Sequence, residues 1–266
     1  MRTMVAAVIF DSRGRFLILK RKLHWHGWEF VKGRAEKETA RQAVLREIRE
    51  ETGIRNDMFI TKLPPEIFYR HENIHGHTSS VQKAFLLEYL GGKIRLSFEH
   101  SAYKWVDKKT AERLLTHRSH KIFLKYAYKI VKKRKKILIE TLSKKHVRHV
   151  SFNGKMISLT YDGKRLRYKT VRRKVRDVGT WSRDNPVVYY DKNLDNPGVL
   201  PILIHEAVEK HVAQTYGLDV DTEAHKVAQA VEKEFIADRK WIALQKVITK
   251  AWVKTNKRKV GKTKFY

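Results

Sequence analysis

Between Trp28 and Ile54 the chain reads W-E-F-V-K-G-R-A-E-K-E-T-A-R-Q-A-V-L-R-E-I-R-E-E-T-G-I, and no other stretch restricts the fold so tightly. Ala40, Ala43, Val44 and Ile48 recur at helical spacing while the charged residues take another face, which predicts an amphipathic helix over the second half. On the charged face Glu47, Glu50 and Glu51 stand at i, i+3 and i+4, so three carboxylates are expected to converge on a patch about one turn long. Like charges at this spacing repel by roughly 0.2–0.5 kcal/mol per pair. Such a face is either a solvated one neutralised by Arg46 and Arg49, or one built to hold a hard cation such as magnesium or manganese.

The run Arg46-Glu47-Ile48-Arg49-Glu50-Glu51-Thr52-Gly53-Ile54 resembles, position for position, the R-E-U-x-E-E-x-G-U half of the Nudix box, where U is aliphatic. Glu38 precedes Arg46 at the family's spacing. Gly33 lies one residue closer to Glu38 than in the family, and Val31 stands where the W-E-F-P-K-G boxes of diadenosine-tetraphosphate hydrolases carry proline. The resemblance implies an α/β/α sandwich and hydrolysis of a phosphoanhydride in a nucleoside-diphosphate-linked substrate. It also implies Mg²⁺ or Mn²⁺ held by Glu47, Glu50 and Glu51, and an Arg46 that orients a helix glutamate. Glu38, Gly33 and Trp28 belong to the loop and substrate side of the same motif. Glu99, in the late E-H-S-A-Y-K-W-V segment, resembles the family's additional metal ligand or general base.

Along the chain, Thr3–Phe10 and Arg15–Lys20 read as strands joined by a turn at Asp11–Gly14. Asp57–Leu63 and Ile67–Arg70 read as strands broken at Pro64-Pro65, His71–Ser80 as a loop whose histidines could reach phosphates, and Val81–Tyr89 and Lys93–Ser97 as further strands. Asp107–Leu115 and His120–Leu138 read as helices. The second runs on into Lys132-Lys133-Arg134-Lys135-Lys136, a cationic rod whose lysines are expected to wrap every face. The expected division is a Nudix domain over residues 1–118, a basic bridging helix over 119–147 and a basic α+β domain over 148–266.

That last domain opens on strands at Val150–Phe152, Met156–Tyr161 and Leu166–Val175, with hairpin turns at Asn153-Gly154 and Asp162-Gly163, and a further strand at Val187–Tyr190. The face left outward carries Arg165, Arg167, Lys169, Arg172, Lys174 and Arg176 in part, with Tyr168 among them; Arg167, Lys169, Arg172 and Arg173, with Lys132–Lys136 of the rod, are the candidate nucleic-acid contacts. Two helices follow, Val199–Tyr216 and Thr222–Lys250, the first ended by Gly217 and the second capped by Asp221 or Thr222. Lys254–Tyr266 forms a basic tail. In the first helix His205-Glu206-Ala207-Val208-Glu209 is similar to the H-E-x-x-H helix of zinc metallopeptidases, with Glu209 in place of the second histidine. His205 and Glu209 share a face, and His225, with Glu232 two turns on, is placed to complete a Zn²⁺ site in which Glu206 is the base. The competing account is a His–Glu network pinning two helices through a seam of Ile202, Leu203, Val208, Val212 and Val227.

The chain carries a formal net charge of +30, shared by both halves, which favours a polyanionic partner; RNA or the ribosome fits better than duplex DNA, because single strands can stack on aromatics such as Trp25 and Trp28. Cysteine is absent, which excludes disulfides and thiolate metal sites. With no run of 18 uncharged apolar residues, the expected setting is soluble and cytoplasmic, with no membrane partner. Three readings stand: a Nudix pyrophosphohydrolase acting on a nucleotide substrate, either an RNA 5′ end or a dinucleoside polyphosphate; an RNA- or ribosome-binding protein on a Nudix scaffold; and a C-terminal metallopeptidase.

Overall fold

Strand β1 (Arg2–Phe10) alternates two apolar faces, and each face is claimed by a different layer of helices. Val5, Ala7 and Ile9 pack with Ala43, Val44 and Ile48 of α1 (Ala40–Thr52), whereas Ala6, Val8 and Phe10 pack with Ala111 of α2 (Lys108–Leu114) and with Phe123, Leu124, Ala127 and Val131 of α3 (Arg118–Ser143). A strand buried on both faces must sit inside a sheet covered on both sides, so the computed structural model is an α/β/α sandwich here, as the box resemblance implies. The structure describes residues 1–73, 76–236 and 238–256.

Around β1 run β2 (Phe16–Arg21), β3 (Gly27–Glu29), β4 (Val31–Arg34), β5 (Asp57–Asn73), β6 (Gly76–Tyr89) and β7 (His100–Val106). β1 pairs in parallel with β6 from Arg2↔Ser80 to Phe10↔Glu88 and antiparallel with β4, where Val5 faces Gly33. β2 pairs with β3 and β7, and β5 with β6. The pairing with β4 lays Gly33 beside α1.

Three expectations fail in instructive ways. Pro64-Pro65 does not end a strand, because β5 runs through them with a register shift between Lys62 and Glu66 on the sheet's edge, where a missing N–H costs no ladder bond. His71–Ser80 is not a loop; backbone pairing continues from Arg70↔Ser79 to Asn73↔Gly76, while residues 74–75 lie outside the described residues. Lys93–Ser97 is not a strand. Its Arg95 and Ser97 N–H groups donate to the Thr52 and Glu51 carbonyls (2.8 and 3.0 Å), satisfying the end of α1, while Ile94 and Leu96 cover the core.

The chain divides into two compact units, 1–135 and 136–266, and the division falls inside α3. In the second unit β8 (Arg148–Phe152), β9 (Met156–Tyr161), β10 (Lys164–Arg173), β11 (Gly179–Trp181) and β12 (Val187–Asp191) form a sheet in the order β11-β12-β10-β9-β8. Asp162 and Gly163 both adopt left-handed conformations (φ 51° and 70°), the two-residue hairpin turn the sequence signals. β11 went unforeseen, since three residues carry no period. Inward Ile157, Leu159, Tyr161 and Leu166 meet α4 (Asn196–Tyr216), which is buried on every side from Pro201 to Val212. The second expected helix is two, α5 (His225–Ile236) and α6 (Asp238–Thr255), preceded by a π-helical turn at Val220–Ala224. The cap is Asp219, whose carboxylate accepts from Thr222 N–H at 3.0 Å, and not Asp221 or Thr222. The expected tail lies outside the described residues beyond 256. No helix among the described residues is long and apolar enough to cross a membrane.

Asp191 ties this unit together, being fully buried and accepting from Val175 N–H (2.9 Å), Asn193 N–H (2.8 Å) and the Thr255 hydroxyl (2.8 Å). Burial alone would raise its pKa; the hydrogen bonds outweigh it and leave the carboxyl below its ordinary value. A depressed carboxyl stabilises the fold above its unfolded-state pKa, and that stability is lost as pH falls. Asp191→Ala is therefore expected to cost about 1–3 kcal/mol at pH 7, with the difference shrinking in acid, as read by denaturant melts from pH 7 down to pH 3.

Candidate active site

Helix α1 is anchored at its N-terminus by a capping box, in which Thr39 Oγ1 accepts from Gln42 N–H and the Gln42 side chain accepts from Thr39 N–H at 3.0 Å. Gly53 ends it in the left-handed conformation (φ 68°). The helix thereby holds Arg46, Glu47, Glu50 and Glu51 on a fixed frame. The Arg46 guanidinium is spent entirely on this frame: Nε and Nη2 donate to Glu38 Oε1 (3.0 and 2.8 Å), Nη2 to the Arg34 carbonyl (2.9 Å), and Nη1 to Glu47 Oε1 and Glu50 Oε2 (both 2.8 Å). Arg49 takes no part in this and lies near Asp57.

The three carboxylates therefore do not form one patch, contrary to the spacing argument. Glu47 and Glu50 bracket Arg46, whereas Glu51, one residue further round the helix, turns into the interior. Glu47 also accepts from the Arg34 backbone N–H, and its carboxyl lies so close to Gly33 that a Cβ there would overlap it. Gly33 is thus the cradle that lets Glu47 lie flat against β4.

Glu51 joins a second set that the sequence left mostly unmarked. Glu29 is wholly buried and receives Arg21 (3.4 Å), Lys32 (3.1 Å), His117 (3.6 Å) and His100, whose Nε2 is 3.3 Å from Glu29 Oε1 and 4.0 Å from Glu51 Oε2. Glu99 reaches in from the turn before β7 and pairs with Arg21 at 3.0 Å. Glu51, Glu99 and His100 each bring a donor atom within 4.8 Å of the others. Burial raises the Glu51 carboxyl to about 9, aided by the negative charges of Glu29, Glu47 and Glu99. Burial acts on Glu29 in the same direction, but His100 and Lys32 more than cancel it and leave its pKa below normal. Glu29 was visible as the glutamate of W-E-F; its inward orientation was not.

Beside this set opens a cavity of about 320 Å³ lined by Arg2, Lys32, Tyr69, Gln82, His117 and His120. His120 Nδ1 accepts from Phe30 N–H at 3.1 Å, and burial with the neighbouring His117 lowers its pKa to about 3, so the ring is neutral. Trp28, half-buried on β3, lies under Lys104 (5.1 Å to the ring), and Trp25 meets His117 edge to face at 4.6 Å.

The cationic residues are mostly exposed, but β10 ends at Arg173, so Lys174 and Arg176 lie beyond the strand, and α3 departs from the expected rod. On α3, Lys132, Lys133, Arg134 and Lys136 are exposed, but Val131 is buried and Lys135 half-buried, so the helix keeps an apolar stripe and its lysines do not wrap every face. Arg134 pairs with Glu88 at 3.2 Å. On β10, Arg165, Arg167, Lys169, Arg172 and Arg173 are exposed, with Arg173 stacked 3.6 Å over Tyr189.

In the second unit His205, Glu209 and His225 come together, and Glu232 joins them. Burial would lower the His205 pKa, but hydrogen bonds to Glu209 and Glu232 raise it to about 10. Glu206 is buried against Gly179 and raised by burial to about 8.

Residues 1–126 match the model of the NUDIX domain, which covers the box, the first unit's sheet and the turn carrying Glu99. The N-terminal half of the chain belongs to the Nudix superfamily. An octanoyltransferase of Myxococcus xanthus is 36% identical over 128 residues, covering 43% of this chain and 33% of that protein, so the chain spans about a third of the length of the curated relative it matches. Among solved structures, an Ap4A hydrolase of C. elegans is similar at 20% identity, covering 50% of this chain and 99% of that one (TM-score 0.43). The E. coli dihydroneopterin triphosphate pyrophosphohydrolase is similar at 26% identity over 46% of this chain and 91% of its own (TM-score 0.39).

A group that ionises at about 9 in the folded state and near its ordinary value when unfolded loses stability as pH rises between the two, because the folded form holds the extra proton. In a chelator, Glu51→Gln is therefore expected to be more stable than the parent chain at pH 8, by about 1–3 kcal/mol, and equal to it at pH 4. Thermal melts at the two pH values read the difference.

Proposed function

We propose that the N-terminal unit hydrolyses a phosphoanhydride in a nucleoside-diphosphate-linked substrate with the help of Mg²⁺ or Mn²⁺. The observation that carries this reading is the carboxylate set of buried Glu29 and Glu51 and half-buried Glu99 with His100, beside a cavity that matches a nucleotide's base or sugar in size. The residues suit hard cations: Glu51 Oε2 is buried with no hydrogen-bond partner among the described residues, and Gly33 leaves Glu47 room to lie beside it.

Glu47, Glu51 and Glu99 would hold the cations, with Glu50 at their exposed edge. Bound there, divalent cations neutralise phosphate oxygens and lower the pKa of an attacking water. Arg46 positions Glu47 and Glu50 without needing to touch substrate. Lys32 and Arg21 counter the charge of Glu29, and neutral His120 and His117 line the wall where a base would rest. The reaction needs no covalent intermediate, only fixed geometry and charge.

For the substrate we favour an RNA-linked 5′ phosphoanhydride over a free dinucleoside polyphosphate. The exposed cations of α3 and β10 exceed what one nucleotide needs, and they suit a phosphate backbone. A second reading, an RNA- or ribosome-binding protein with little catalysis, draws support from Arg46, which occupies one oxygen each of Glu47 and Glu50.

With Mg²⁺ or Mn²⁺, the protein is expected to release phosphate or nucleotide from at least one of triphosphorylated RNA, NAD-capped RNA, diadenosine tetraphosphate and ADP-ribose. Glu50→Gln or Glu51→Gln should reduce kcat on the order of 10²-fold or more. No turnover on any of the four, combined with tight RNA binding, would select the scaffold reading. RNA affinity is also expected to fall steeply with salt, and a quadruple change of Arg167, Lys169, Arg172 and Arg173 to Ala should flatten that slope. Filter-binding at several salt concentrations reads it, and a salt-independent affinity would remove RNA from the proposal.

A further inference from the structure

We propose that the C-terminal unit binds one transition-metal ion of the zinc type on His205 Nε2, Glu209 Oε2 and His225 Nδ1, which α4 and α5 bring to the corners of a small triangle. Its edges are 3.0 Å (His205 to His225), 3.1 Å (His225 to Glu209) and 3.4 Å (His205 to Glu209). Zinc bonded tetrahedrally at about 2.0–2.1 Å separates its donor atoms by about 3.3–3.4 Å. The three atoms thus already stand close to the spacing of one tetrahedral face.

Hydrogen bonding alone serves this triangle poorly. A single proton on His205 Nε2 cannot point at both His225 Nδ1 and Glu209 Oε2, and any arrangement of ring protons leaves two lone pairs facing each other or one edge unbonded. One cation satisfies all three donors together.

The surroundings are those of a ligand set held in place. His205 Nδ1 lies 2.8 Å from Glu232 Oε2, so its N–H is committed there and its other nitrogen is turned to the triangle. This is the carboxylate–histidine relay that orients metal-bound imidazoles. Trp181 Nε1–H donates to Glu209 Oε1 at 2.8 Å, which fixes that carboxylate and leaves Oε2 for the ion. Glu232, only 3% exposed, keeps Oε1 without a hydrogen-bond partner among the described residues, and Glu206 adds a second buried carboxyl from α4. A buried carboxylate oxygen left without a partner beside two imidazoles calls for positive charge.

Two imidazoles and one carboxylate favour zinc and its neighbours over magnesium, which prefers oxygen donors in octahedral array. The His225 side chain is 49% exposed, so the triangle has a route to solvent, and the fourth position falls to water or an exchangeable ligand. The site lies within the second unit and does not depend on the hydrolase reading of the first.

The test uses the full chain, stripped with a chelator and titrated with Zn²⁺ in excess Mg²⁺ so that oxygen sites elsewhere are filled. One equivalent is expected to bind and to raise the melting temperature. His225→Ala, at a half-exposed position, should abolish both effects. Glu232→Gln should weaken binding about 10–100-fold, while Glu51→Gln should leave it unchanged. Co²⁺ in place of Zn²⁺ should give the intense visible absorption of a four-coordinate site. The proposal is overturned if no stoichiometric Zn²⁺ binds, if His225→Ala binds it as tightly as the parent chain, or if Co²⁺ shows only a six-coordinate spectrum.

Discussion

One guanidinium sets the geometry of the N-terminal site. Arg46 projects from α1 and distributes its donors over Glu38, Glu47, Glu50 and the Arg34 carbonyl, so helix, loop and strand are clamped through one planar group. Flanked by three carboxylates, it is held more firmly protonated than usual. Everything nearby follows from the clamp. Glu47 is pulled over Gly33, Glu50 stays at the surface, and Glu51 takes the inward direction.

The two units solve the same problem in parallel ways. Each buries carboxylates that water would hold far more comfortably, and each offsets the desolvation with an imidazole placed between them: His100 beside Glu29 and Glu51, His205 beside Glu209 and Glu232. Buried ion clusters are weak sources of stability, so their presence in both cores points to a role beyond holding the chain together. The first cluster is rich in oxygen and adjoins a cavity; the second is richer in nitrogen and opens through one half-exposed ring.

Much of this was legible in the sequence, because the features that carried it are local. The α1 periodicity, the nine-residue match from Arg46 to Ile54, the Asp162-Gly163 turn and the alternating cations of β10 depend on residues a few positions apart. What the sequence hid is set by partners far along the chain. Glu29 and His100 are 71 residues apart, and nothing in either neighbourhood announces the pair. Lys93–Ser97 has a strand's composition, yet its N–H groups go to a helix end. Pro64-Pro65 reads as a stop, but an edge strand has one side whose donors are not needed. The His205 to His225 meeting was anticipated by helical spacing plus a short turn, although the cap and the later division of the helix were not.

Helix α3 has a practical bearing on any attempt to isolate the first unit. The family match ends at residue 126, and a boundary at 118 would remove the helix altogether. Yet Phe123, Leu124, Ala127 and Val131 line one wall of the first hydrophobic core, and Leu138, Ile139 and Leu142 belong to the second. A fragment trimmed to either earlier boundary would expose apolar surface that the helix normally covers, inviting aggregation before any assay began. A cut near residue 135 keeps the first wall whole, so the shortest self-sufficient piece is longer than the recognisable motif.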